Sequence, residues 1–407
     1  MDSFNEFSQL NIKKDTPNLE ALIVKDLVAI EALHKQVVEK MMKEDISALP
    51  NLGKLEGIYD AQFNFLGLSG LKERYGDKWP IISETLKEYL NKEGGKRLRP
   101  LLLLNGFRTF SRGAEPDEKI FGAAVGLELL HETALFLDDI IDNSTLRRGA
   151  PSLWKKIDDV PELNSFNADK VTADAGSLCF ASARYLMVDV APEKNKSEVS
   201  RIFWQAVNDM KQGQDDDDKL ARGGEWPPLE HVLEQFYLKT SSYSMRLPLL
   251  SALHASGATI DDNILKGIED FSRGFGLSFQ LHDDLLIIRT SAETGKDNDI
   301  DAFNGTKIPV AILARQLGSE QEKKFIDKVW GKPDELNPEN LSKLKEIFKT
   351  TGALQKISEM IKLEIQKAEP GLDIMRKSGF DVSSLRHLLN IGLPWMDDLT
   401  KRVDIGS

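Results

Sequence analysis

The chain has 407 residues, of which 41% are hydrophobic and 29% charged, and its formal net charge is −12. That length can bury one large core or two smaller ones, and the acidic balance argues against nucleic acid as a partner. Cys179 is the single cysteine, so no intrachain disulfide can form and a reducing compartment fits.

No uninterrupted apolar run reaches membrane-spanning length, so no membrane span is expected. The N-terminus, Met1-Asp2-Ser3-Phe4-Asn5-Glu6, has no basic region ahead of an apolar stretch and is too acidic for an ordinary transit peptide. A cytoplasmic protein is the expectation.

Residues 1–18 are polar and read as a loose terminus. Apolar residues at helical spacing (Leu22, Ile23, Leu27, Ile30, Leu33, Val37, Val38, Met41) predict an amphipathic helix over 19–43. Pro50 and Gly53 mark 47–57 as a connector. A helix over 81–90 leads into Gly94-Gly95-Lys96-Arg97-Leu98-Arg99-Pro100, where the glycines end one helix and Pro100 suits the first turn of the next. The central helix is expected over 118–142, with Gly122 and Gly126 marking close packing rather than a break.

A buried helix follows over 173–188, then an amphipathic one over 194–210. The latter ends near Gly213-Gln214-Asp215-Asp216-Asp217-Asp218, whose four aspartates read as a solvated turn. Helices over 229–253 and 261–288, a loop over 292–307 and a helical region from 308 to about 402 complete the chain. Breaks are expected in that last region at Lys332-Pro333, Pro338 and Pro370. There is no strand alternation, short-period repeat or low-complexity tract, so the fold class is all-α, a single large helical bundle.

The chemistry concentrates in His131-Glu132-Thr133-Ala134-Leu135-Phe136-Leu137-Asp138-Asp139-Ile140-Ile141-Asp142, followed by Arg147-Arg148-Gly149. On a helix Asp138 and Asp142 are one turn apart on one face, flanked by Asp139, and like charges so placed oppose each other. A solvated acidic helix end would carry them too. Paired arginines behind an apolar helix favour instead a hard divalent cation bridging carboxylates to phosphate, with guanidinium forks on the same phosphate.

A second acidic pair, Asp283-Asp284, ends another long helix. If both helices line one cavity, the two clusters face each other across its mouth. Lys96, Arg97, Arg99, Arg147, Arg148, Lys239, Lys296 and Lys307 lie in loops or helix ends near the clusters. The combined demand is a ligand with an ionic head and a greasy body. Taken alone, His131 reads as a satisfied core histidine and Lys239-Thr240 as an exposed helix pair.

Five motifs in order carry a resemblance. They are Gly-Gly-Lys-Arg-Leu-Arg-Pro at 94–100, the acidic motif at 138–142 with Arg147-Arg148-Gly149, Lys239-Thr240, Gln280 with Asp283-Asp284, and Gly305-Thr306-Lys307. Together they resemble the trans-isoprenyl diphosphate synthase (polyprenyl synthetase) family. The resemblance covers about residues 90–310 and leaves an N-terminal extension over 1–75 beside a synthase-like domain over 76–407.

The resemblance implies a bundle of the isoprenoid-synthase type around a central apolar cavity, Mg²⁺ as cofactor and a homodimer. The implied reaction joins isopentenyl diphosphate to an allylic diphosphate by ionisation, condensation and elimination, without a protein nucleophile. Lys96, Arg99, His131 and Arg148 match the isopentenyl diphosphate site. Asp138 and Asp142, supported by Asp139, match the metal ligands for the allylic diphosphate, and Asp283 matches the ligand from the second cluster. Arg147, Lys296 and Lys307 match contacts to that diphosphate. Lys239, Thr240 and Gln280 match residues near the allylic C1. The small residues Thr133 and Ala134, five and four before Asp138, imply a pocket that admits C20 or longer products.

Two departures stand out. Ile287 occupies the place of the second motif's third Asp, with Arg289 close behind, and the segment 292–305 is long and acidic. They leave room for a class I terpene synthase that cyclises its substrate, or for a weakly active regulatory subunit. Lys96, Arg99 and Arg148 argue against the former, and the intact first cluster argues against the latter.

Overall fold

A computed structural model describes residues 17–42, 71–92, 95–188, 191–288 and 299–391. The expected connector over 47–57, Lys296 with most of its loop, Arg289 and the stretch beyond 391 lie outside the described residues. In chain order the helices are α1 (Pro17–Met42), α2 (Leu71–Tyr75), α3 (Trp79–Leu90), α4 (Leu98–Phe110) and the central α5 (Glu118–Asp142). A two-residue antiparallel pair, β1 (Leu146–Arg147) and β2 (Ala150–Pro151), is followed by α6 (Leu153–Asp158), α7 (Ala168–Val188), α8 (Lys196–Arg222) and α9 (Leu229–Phe236). A π-helical segment (Tyr237–Arg246) runs straight into α10 (Leu247–Ser256) and is followed by α11 (Asp262–Asp284). The rest is α12 (Ile300–Asn304), α13 (Pro309–Leu317), α14 (Glu320–Val329), α15 (Pro338–Thr350), α16 (Ala353–Lys377) and α17 (Ser383–Ile391). The fold is all-α, as the patterning predicts.

α5 sits at the centre, against α4, α7 and α1. Asp117 caps it by accepting from the backbone N–H of Lys119 and Ile120, and Asn143 closes it in the left-handed conformation. Among the described residues α5 alone is long and apolar enough to cross a membrane, but most of its apolar stretch is buried inside the protein. Glycine sets how closely its partner lies, for a Cβ on Gly126 would stand 3.1 Å from the Ala183 carbonyl of α7. α11 and α16 approach as closely, with Gly274 beside the Glu364 carbonyl and Gly371 beside that of Gly267.

Two expectations are corrected. The aspartate run is no turn: α8 continues through it to Arg222, and Asp217 is buried on the stripe of Ile202, Ala206 and Gly213. Pro370 does not break its helix either. It lies inside α16, where packing along α11 outweighs one lost backbone hydrogen bond.

The N-terminal helix belongs to the core. Ile23, Leu27, Ile30, Val37, Val38 and Met41 are all buried in the main apolar cluster, as their spacing requires. Polar ties reinforce the packing. Arg108 pairs with Asp26 at 2.7 Å, and Arg97 reaches Glu31 of α1 and Glu128 of α5, each at 2.6 Å. Arg97 and Glu128 are buried, so removing the guanidinium strands a carboxylate in the core. Arg97→Met is expected to lower unfolding free energy by about 3–5 kcal/mol in urea titration. A loss below about 1 kcal/mol would show that the triad does not hold α1 in place.

Candidate active site

The first acidic cluster is the last turn of α5. Asp139 is buried, and Asp138 and Asp142 are half-buried above it. The hairpin that follows turns through Arg148 (φ 52°) and Gly149 (φ 70°), a pair of left-handed residues that suits a tight two-residue loop. It folds Arg147 back over the aspartates, where Nε donates to Asp139 Oδ1 at 3.0 Å and an Nη lies 3.5 Å from Asp138 Oδ2.

Lys239 enters from the π-helical segment. Its Nζ lies 2.8 Å from Asp217 Oδ2 and 3.5 Å from Asp138 Oδ1, so α8 and α5 share one ammonium. Gly213 makes this approach possible, since a Cβ there would stand 2.4 Å from the Lys239 backbone nitrogen. Burial opposes the ammonium's charge, but Asp217 and Asp138 outweigh it and hold its pKa above the ordinary lysine value.

The second cluster faces the first. Asp142 and Asp284 both feel Asp217 and Asp301, which places the ends of α5 and α11 about one space. Asn304 of α12 closes that space from a third side by donating to the Asp142 carbonyl at 3.2 Å. Ile287, at the place of a third aspartate, is buried in the smaller apolar cluster and is a core residue.

Crowding of like charge is written into these carboxyls. Burial, then repulsion by Asp138, raises the Asp142 pKa to about 8. Burial raises Asp139 to about 6 despite Arg147. Burial and then Asp301 push Asp284 well above the carboxylate range. Asp139 Oδ2 and Asp284 Oδ2 are buried without a hydrogen-bond partner. Among the described residues no three acidic or histidine side chains already converge on one point. Hard oxygen donors that repel one another and are short of partners nonetheless have the chemistry that a divalent cation satisfies.

A separate cationic group lies beside α5. Arg99 Nη2 donates to the Tyr243 hydroxyl at 2.9 Å, and that hydroxyl lies 3.1 Å from His131 Nδ1. Burial, then Arg99 and Arg148, depress the His131 pKa well below 6.5, so the ring is neutral at pH 7. Arg148 pairs with buried Glu132 at 2.8 Å, and Lys96 stands 5.5 Å from the centre of the Phe279 ring. Thr240 Oγ1 donates to Gln280 Oε1 at 3.0 Å, joining the third motif to the fourth.

The structure thus brings Asp138, Asp139, Asp142, Arg147 and Lys239 into one network, faces it with the end of α11, and sets Arg99 and His131 in another. It does not bring Lys307 into either. The Lys307 ammonium donates to the Gly305 carbonyl and stands 4.9 Å over the Trp226 ring, near Lys332 and Asp327. Asp217, Tyr243, Asp301 and Asn304 are partners that the sequence reading missed. Only Asp217 left a signal, its place four residues after Gly213 on the buried stripe of α8.

Neighbouring acidic helix ends and two cationic groups are set on apolar helices in an isoprenoid-synthase fold. The chain belongs to the polyprenyl synthetase family, whose sequence model matches residues 80–350. Its reaction is prenyl transfer.

The short chain isoprenyl diphosphate synthase of Methanocaldococcus jannaschii is 27% identical over 285 residues, covering 66% of this chain and 80% of that protein. The geranylgeranyl diphosphate synthase of Sulfolobus acidocaldarius is 31% identical over 247 residues, covering 60% and 70%. Among solved structures, geranylgeranyl pyrophosphate synthase of Corynebacterium glutamicum, complexed with isoprenyl diphosphate and magnesium, aligns with a TM-score of 0.71. Its identity is 23%, over 90% of this chain and 98% of that one, a likeness of fold.

Asp217→Asn removes a charged acceptor from Lys239 while keeping the side-chain shape. The expected result is a fall in turnover of about tenfold or more with little change in melting temperature. Steady-state kinetics beside a thermal melt test this, and wild-type turnover would remove Asp217 from the site.

Proposed function

We propose that this prenyltransferase extends an allylic diphosphate with isopentenyl diphosphate to linear products of C20 or longer. The observation that carries the reading is the division of the site into an acidic mouth around Lys239 and a separate Arg99–Tyr243–His131 group, one for each substrate. Asp138, Asp142 and Asp283, with Asp139 in support, would hold magnesium. Magnesium, when bound, supplies positive charge against the diphosphate oxygens.

The residues then divide the chemistry. Arg147 and Lys239 bind the allylic diphosphate and stabilise the charge that grows on it as the C1–O bond breaks. Thr240 fixes the Gln280 amide, whose oxygen faces the positive charge left on C1. Lys96, Arg99, His131 and Arg148 hold isopentenyl diphosphate with its double bond towards C1. That double bond supplies the electron pair of the new carbon–carbon bond, and the proton lost afterwards passes to the departed diphosphate. Lys307 enters only as an anchor of its loop. A homodimer in the cytoplasm fits the reading.

α5 bears on product length. Thr133 is buried against Gly176 of α7, and Ala134, half-buried, presents only a methyl group. Neither is large enough to stop a chain growing past the first turn below Asp138.

The test is a product assay with Mg²⁺, labelled isopentenyl diphosphate and each allylic starter in turn, read by mass. Linear diphosphates of C20 or longer are expected. Asp138→Ala is expected to lower their formation by about a hundredfold or more, and Ala134→Phe to shorten them. Cyclic hydrocarbon formed without isopentenyl diphosphate would overturn the reading, and unchanged lengths in Ala134→Phe would overturn the argument from α5.

A further inference from the structure

The π-helical segment carries Lys239, Thr240 and Tyr243, so it serves both halves of the site. Such helices are rare and mostly a single turn long. One of ten residues therefore needs support from its neighbours. Gly213 of α8 and Gly276 of α11 let it in from two sides; a Cβ on Gly276 would stand 2.9 Å from the Ser241 Cα. Asp209 of α8 accepts from Ser242 Oγ at 2.5 Å.

A further tie is Glu269 of α11. Its Oε1 accepts from the Tyr237 hydroxyl and its Oε2 from Arg246 Nε at 2.7 Å. These partners are the first and last residues of the segment. They are nine apart, which at 3.6 residues per turn places them on opposite faces of an α-helix. With i→i+5 hydrogen bonding and about 4.4 residues per turn, they return to the same face. A single carboxylate therefore holds both only while the segment keeps its π register.

We infer that Glu269 is a positioning residue for prenyl transfer, clamping both ends of the segment so that Lys239 and Tyr243 reach their two half-sites together. The inference rests on the reading of Arg99 and His131 as the isopentenyl diphosphate site. In an α register Tyr243 swings by roughly 70° relative to Lys239. Lys239 stays, because Gly213 and Asp217 fix it against α8. Tyr243 leaves the Arg99–His131 pair, so the damage falls on isopentenyl diphosphate.

The test uses the full chain with Glu269→Ala, Tyr237→Phe and Arg99→Met. Asp270→Ala, which frees only the exposed Lys266, is the control for stability. Glu269→Ala is expected to raise the KM for isopentenyl diphosphate and lower kcat by about tenfold each, with the KM for the allylic substrate within about twofold. Tyr237→Phe is expected to follow in the same direction with a smaller effect. Hydrogen exchange should quicken over 238–246 and stay unchanged over 247–256.

An unchanged KM for isopentenyl diphosphate in folded Glu269→Ala overturns the clamp. So does an equal rise of both KM values together with a melting temperature well below that of Asp270→Ala. If Arg99→Met raises that KM while Glu269→Ala does not, the clamp alone fails. If Arg99→Met leaves it untouched, the subsite reading falls and the inference with it.

Discussion

Lys239 stands between Asp217 and Asp138, and the mouth of the site depends on that shared ammonium. Asp142, Asp284 and Asp301 crowd the same space, and every one of these carboxylates opposes the others. Partly buried charges about 4 Å apart interact by several kcal/mol. Lys239 and Arg147 offset only part of this charge, so the rest must be met by protons or by cations. Burial and mutual repulsion raise Asp139, Asp142 and Asp284 in that direction, Asp142 to about 8. The same crowding makes the space attract a divalent cation carrying a diphosphate, and a mouth neutralised by more of its own lysines would not.

Bringing that ammonium into place is a matter of backbone approach. Gly213 allows α8 to meet the π-helical segment at Lys239, and Gly276 allows α11 to meet it at Ser241. Any side chain at either position would push the segment away from the helix that orients it. The pairs Gly126 with α7, and Gly274 and Gly371 between α11 and α16, do the same for the helices bearing the two acidic clusters. Close helix packing here sets the distances between charges.

Much of this was legible in the sequence where the signal is local. The bounds of α5 follow from the Asp117 cap, the apolar run and Asn143. Arg147 reaches Asp138 and Asp139 because a short turn leaves it nowhere else to go. Asp217 was misread because four consecutive aspartates look solvated, and its burial is decided by Lys239, 22 residues further on. The π register was invisible because tertiary ties hold it, and Tyr243 was lost with it. Lys307 stands over the Trp226 ring, a tertiary contact that the sequence around its loop does not mark. Ile287 looked like a missing ligand only until the turn after α11 carried it into the core.

A reaction through an allylic cation also constrains what lies below the charged turn. Water or a nucleophile near that cation would capture it before the second substrate does. Two polar groups of this region are held back from reaction. Thr133 Oγ1 lies 3.0 Å from both the Leu129 and Gly176 carbonyls, so its one proton is taken up inside the helix pair. Cys179 is buried, and burial keeps it a thiol rather than a reactive thiolate. Phe136 packs edge-on to Tyr89 with its ring fully buried. A single helix therefore carries an acidic end and, beneath it, a face of small and apolar residues. In the proposed reading the order of the two along α5 gives the site its direction, the headgroup at the C-terminal end and the chain towards the N-terminal end.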